Sequence, residues 1–177
     1  PKIIRTFTVE MLKCDVMIQR IQTVYLIVAF IALILQFFFP VSVYMFGDTV
    51  DTYTGTVSFY LYGLVKQPIT LEIAYKFVFY LPMIAIAIAV LILTVLIILQ
   101  YKKRLKQLRT INFAILLNIV LIVLLFFYTD KIAKDLSLPT QYRMGSVFPL
   151  ISLVFLILAM YAIKRDERLV RSLDRLR

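Results

Sequence analysis

Four stretches of this chain carry no Asp, Glu, Lys or Arg: between Arg20 and Asp48, Lys76 and Lys102, Arg109 and Asp130, and Arg143 and Lys164. Each has room for the ~20 apolar residues that cross a hydrocarbon layer about 30 Å thick as a helix. The apolar runs predict helices at about 21–39, 77–101, 110–128 and 144–163. Pro40 stops the first, because its ring cannot continue the hydrogen-bonded turns. The basic segment from Lys102 to Thr110 is read as carrying helical structure beyond the bilayer, and a link this short makes helices two and three antiparallel neighbours. Asp130–Arg143 reads as a short polar loop broken by Pro139.

Between the first two helices the period changes from helical to twofold. Val41–Phe46 and Thr56–Tyr62 are rich in β-branched and aromatic residues, with a polar, turn-prone stretch from Asp48 to Gly55 between them. Alternation puts Val57, Phe59 and Leu61 on one face and Ser58, Tyr60 and Tyr62 on the other. The expected fold class is therefore an all-α integral membrane four-helix bundle, with a small β-hairpin over about 41–62 capping one end. At the C-terminus, residues 164–177 form a basic segment in which Leu169, Leu173 and Leu176 recur at i, i+4 and i+7, giving one apolar helical face. Pro1–Val16 is weakly patterned and reads as a short N-terminal extension.

Composition agrees with lipid as the solvent. Apolar residues make up 62% of the chain and charged residues 17%, against roughly 25% charged in soluble domains; mean hydropathy is +0.92. The first apolar run is too long for a cleavable signal core and no small-x-small site follows Phe39, so it is expected to remain as an anchor.

Charge sets the expected orientation. The N-terminal segment, the link between helices two and three and the C-terminal segment together hold 15 basic and five acidic residues, hence all of the net charge of +10. The other side holds five of each and is neutral. Because Lys and Arg are retained in the cytoplasm, both termini are expected inside and the hairpin outside the cytoplasm. Anionic lipid headgroups at the cytoplasmic face then account for the basic balance, and nucleic acid is not the expected partner.

The chemistry of the apolar runs is sparse. There is no His, the one Cys is Cys14, and no charged residue lies within a predicted span. Acid–base pairs, metal-ligand spacings and phosphate-cradling glycine loops are all missing, so no catalytic, cofactor-binding or metal-binding residue is expected and the chain is not read as an enzyme. The polar residues inside the runs are Gln36, Thr94, Asn112, Asn118 and Ser152. Asn118 lies deepest in its helix, and it and Gln36 are expected to make interhelical polar contacts, since an amide facing lipid has nothing to bond. Ala85 and Ala89 form a small-x-x-x-small step at which a neighbouring helix is expected to come close.

Two terminal motifs carry a resemblance. Met17-Ile18-Gln19-Arg20-Ile21-Gln22-Thr23-Val24-Tyr25-Leu26 opens the first helix, and Asp166-Glu167-Arg168-Leu169-Val170-Arg171-Ser172-Leu173-Asp174-Arg175-Leu176-Arg177 closes the chain. Over Met17–Arg177 the sequence resembles a domain-of-unknown-function family of small four-helix integral membrane proteins found chiefly in Bacteroidota. The resemblance implies a bacterial cytoplasmic (inner) membrane location and no known activity.

The expected function is that of a non-catalytic membrane interaction or accessory protein. Arg165, Arg168, Arg171, Arg175 and Arg177 are the expected contacts to lipid or to a membrane-complex partner docking on the C-terminal segment. Arg20 is placed to pair with Asp166 or Glu167 where helices one and four meet. Reversing the charge at Arg20 and rescuing it by reversal at Asp166 or Glu167 tests that pairing, and failure of rescue refutes it. The alternative is an oligomeric small-solute transporter or channel, which a polar path reaching Asn118 or Gln36 would mark.

Overall fold

The computed structural model describes residues 21–46, 55–67, 79–100 and 104–174. Four helices carry the fold: α1 (Ile21–Phe38), α2 (Leu81–Leu99), α3 (Arg104–Leu136) and α4 (Phe148–Asp174). Between them lie strands β1 (Ser42–Phe46), β2 (Gly55–Tyr60), β3 (Gly63–Gln67) and β4 (Gln141–Tyr142), and a 3-10 turn at Met144–Ser146. The strands form one antiparallel sheet in the order β3-β2-β1-β4. The helices alternate in direction, so the sheet sits at the end where α1 and α3 finish and α2 and α4 begin.

The expected β1–β2 hairpin is present, with Tyr44 opposite Val57 and Ser42 opposite Phe59. Its alternation holds: Val57, Phe59 and Leu61 are fully buried, whereas Thr56, Ser58 and Tyr60 are half-buried. The sheet is wider than the expected hairpin. Leu61 and Tyr62 are a turn rather than a strand end, and β3 folds back so that Gly63 faces Tyr60. Gly63 takes φ +150 there, a conformation that a side chain resists. At the other edge β4 adds Tyr142 opposite Ser42.

Two helices outrun the bounds expected from hydropathy. The α3 helix continues through Asp130–Leu136, where a loop was expected, because Lys and Asp end a hydrophobic run without breaking a helix. It stops in a Schellman cap: Leu138 N–H donates to Ala133 O and Ser137 N–H to Lys134 O, both at 3.1 Å. Ser137 holds the left-handed position at φ 54. The α4 helix also passes the hydropathy bound at Ile163, running unbroken to Asp174 in keeping with the helical face expected beyond Lys164. The α2 helix begins later than expected, at Leu81 with Pro82 in its first turn, where a missing N–H costs no bond.

The interior divides into two apolar clusters. At the sheet end, Val41, Tyr44, Val57, Phe59 and Leu61 pack on Tyr80, Met83, Ala87, Leu121, Leu125 and Ile132. Tyr44 ties the sheet to α3, its hydroxyl donating to Thr129 O at 2.8 Å and accepting from Ser42 at 3.2 Å. At the opposite end, Leu26, Ala29, Ile97, Ile111, Ala114, Leu156, Ala159 and Ile163 form the second cluster. There Gln107 Nε2 donates to Ile97 O at 3.1 Å and Thr110 to Gln100 Oε1 at 3.0 Å, closing α2 against α3. On α2 the buried alanine is Ala87, not the expected Ala85 and Ala89; Ala85 is exposed.

The outward surface is as apolar as the interior. Only 28–33% of the residues in each helix's apolar window are buried within the fold. Phe38, Leu99, Val123 and Phe127 are each at least 60% exposed. Water does not tolerate so large a contiguous apolar surface on a monomer, and lipid does.

Candidate functional site

Two places gather polar groups against this apolar background. The first lies between the two clusters. Along α3 the buried stripe reads Ile111, Ala114, Asn118, Leu121, Leu125, the i, i+3, i+4 spacing of one helical face. Asn118 thus falls where one cluster ends and the other begins. It is fully buried, and its Nδ2 donates to Pro149 O in the first turn of α4 at 3.2 Å. Ser152, one turn further along α4, is also fully buried.

Gln36 reaches the same level from α1. Phe39 packs on Phe148 with ring centroids 5.3 Å apart, and Ile21 lines a cleft with Arg165 and Asp166. The helices therefore run antiparallel one-for-one, which sets Gln36 level with Ile151 and Ser152. Gln36 is 0% exposed, and among the described residues neither end of its amide bonds a protein group. Asn118 Oδ1 and Ser152 Oγ likewise have no hydrogen-bond partner among the described residues. A buried polar atom in that state costs about 1–3 kcal/mol. Thr94 and Thr129 differ, each satisfying its hydroxyl on the carbonyl four residues back, Val90 O and Leu125 O at 2.8 Å. Their hydroxyls are thus satisfied within their own helices.

The second place is the charged end of α4. The charge-free run ends at Ile163, but the helix does not, so Lys164, Arg165, Asp166, Glu167 and Arg168 are carried on an unbroken continuation of the same helix. Arg165 and Arg168 are exposed, Lys164 and Glu167 half-buried, and Asp166 is buried at 5% exposure. Asp166 and Glu167 both take part in interactions with their surroundings. Arg20, expected beside them, lies outside the described residues, as do Arg175 and Arg177. Arg171 belongs to the last described turns of α4. Among the described residues, no group of three or more His, Cys, Asp or Glu is arranged to hold a metal ion.

Sequence reasoning picked out Asn118 and Gln36 because amides stand out in apolar runs. It passed over Tyr44, Ser42 and Thr129, whose hydrogen bonds join residues 85 apart in the chain. The one local signal for them was a tyrosine on the buried face of a strand, where its hydroxyl requires a partner.

Four helices long and apolar enough to cross a bilayer, closed at one end by a small antiparallel sheet, suggest a multi-pass membrane protein. The chain belongs to the family described as Domain of unknown function (DUF4293), which it matches over residues 18–176. No curated protein matches the chain.

Proposed function

We propose that this chain is a non-catalytic interaction or accessory protein of the bacterial cytoplasmic membrane, Bacteroidota included, with both termini cytoplasmic and the sheet on the opposite side. The observation that carries the reading is the unbroken α4 helix of 27 residues. At 1.5 Å per residue such a helix is about 40 Å long, some 10 Å more than the hydrocarbon layer. The basic, amphipathic segment that begins at Lys164 supplies the surplus, about 16 Å of helix to Asp174. A rigid, charged helical projection suits docking of a partner or of anionic lipid better than a loose tether does. Isolation in mild detergent followed by mass spectrometry, comparing the full chain with one ending at Lys164, tests this. A partner present with the full chain and lost on truncation is expected; identical partner lists would overturn the docking role.

A second reading rests on the polar level of Gln36, Asn118 and Ser152, which a purely structural bundle does not need. An oligomeric small-solute transporter or channel would use it as part of a path. Labelling of a cysteine placed at Asn118 by a small water-soluble thiol reagent would favour that reading; protection favours the accessory protein.

A further inference from the structure

Arg165 stands between two clefts. One, of about 510 Å³, is lined by Tyr161, Lys164, Arg165 and Arg168. The other, of about 450 Å³, lies between α1 and α4 and is lined by Ile21, Tyr25, Leu158, Ala162, Arg165 and Asp166. Both share Tyr161 and Arg165. Positions 158, 161, 162, 165 and 168 fall on one face of α4 at helical spacing. From Leu158 to Arg168, about 15 Å of helix, the face changes from apolar (Leu158, Ala162) to cationic (Arg165, Arg168). Tyr161, 62% exposed, marks the changeover with a ring that suits hydrocarbon and a hydroxyl that suits the headgroup layer.

A groove that is apolar along one half and cationic at its mouth, on a surface facing lipid, has the polarity of a single phospholipid molecule. We infer that it holds one anionic phospholipid. Its phosphate sits among Lys164, Arg165 and Arg168, and an acyl chain lies between α1 and α4 along Ile21, Tyr25 and Leu158. Guanidinium groups bond phosphate oxygens through paired N–H donors, which gives geometric fit beyond bulk attraction. The negative headgroup follows from the cations at the mouth. Asp166, the one acid lining either cleft, is buried at 5% exposure, which withholds its carboxylate from the ammonium of a zwitterionic headgroup.

This site rests on the proposed membrane placement of the basic end, and the test separates the two. The detergent-purified full chain is titrated with phosphatidylglycerol or phosphatidylcholine of matched acyl chains, and bound lipid is counted by native mass spectrometry. One phosphatidylglycerol per chain is expected in clear preference to phosphatidylcholine. The R165Q/R168Q variant should lose about tenfold or more of that retention, while K131Q/K134Q at the sheet end keeps it. R165K/R168K, which preserves the charge, should restore part of it. Equal retention of the two lipids by the unaltered protein overturns the site without any variant needing to fold. Displacement of the lipid by millimolar inorganic phosphate would also overturn it, by showing that phosphate alone is recognised. A chain that is monodisperse without detergent would instead overturn the membrane reading beneath it.

Discussion

At the residue scale, two close contacts fix how the sheet end is assembled. Gly145 approaches the end of α1 so closely that an added Cβ would lie 2.5 Å from Pro40 O and 2.6 Å from Phe39 O. Its own N–H donates to Pro40 O at 2.9 Å. These obstacles are backbone and cannot rotate away, so Gly145→Ala should destabilise the fold by about 1–3 kcal/mol. A thermal melt in detergent reads this directly, and an unchanged midpoint would show that the α1–α4 junction is looser than described. Tyr44 is the second contact. Burial, with lesser contributions from Tyr142 and Asp130, pushes its hydroxyl up to about 12. Unfolded tyrosine ionises near 10, so the folded state holds the proton that the unfolded state releases. The stability is complete below pH 10 and is lost as pH climbs toward 12. Tyr44→Phe should remove its share of that dependence and cost about 1 kcal/mol at neutral pH for the lost Thr129 bond. Alkaline melts of both proteins, with phenolate absorbance followed in parallel, check the sign.

At the scale of elements, hydropathy and helix limits are different quantities, and this chain separates them. An apolar run ends where charge begins; a helix ends where its hydrogen bonding is broken or capped. That is why all four helices were legible, while α3 overran Tyr128 to reach the cap at Ser137 and α4 overran Ile163. The β1–β2 hairpin was legible from the alternation of Val57, Phe59 and Leu61. Neither β3 nor β4 was: Gly63–Gln67 lacks a regular apolar period, and two-residue β4 exists only because the chain passes beside β1 some hundred residues later in sequence. Ala85 and Ala89 misled because spacing alone does not say which face of an evenly apolar helix is buried; only Ala87 is inside. Of the candidate site, the amides were legible by contrast with their surroundings. Their common level was not, since it depends on how α1, α3 and α4 are offset. That level has an energetic signature. If Gln36 has no polar partner in the assembled protein, Gln36→Leu should raise stability by about 1 kcal/mol. A fall of similar size would show that the amide holds a polar partner and would strengthen the transport reading.

At the scale of the molecule, the basic start of α3 and the basic end of α4 lie at the opposite end of the bundle from the sheet. The two connections on the sheet side carry −1 (Asp48, Asp51, Glu72, Lys66, Lys76) and +1 (Asp130, Asp135, Lys131, Lys134, Arg143) and cancel, so the excess charge of +10 belongs to the remaining segments. The α3 helix displays this within a single element, with Lys106 and Arg109 at its start and the balanced set Asp130, Lys131, Lys134 and Asp135 at its end. Twenty residues without charge separate the two groups, close to the thickness of the hydrocarbon layer. The account thus depends on lipid surrounding the helices and on the basic end facing the cytoplasm. The most direct measurement is cysteine accessibility on intact spheroplasts, in a Cys14→Ser background, with a membrane-impermeant maleimide. Gln141→Cys, in exposed β4, should label without permeabilisation, and Ser172→Cys, near the end of α4, only after it. Labelling of Ser172→Cys alone in intact spheroplasts, or of both positions equally, would contradict the account.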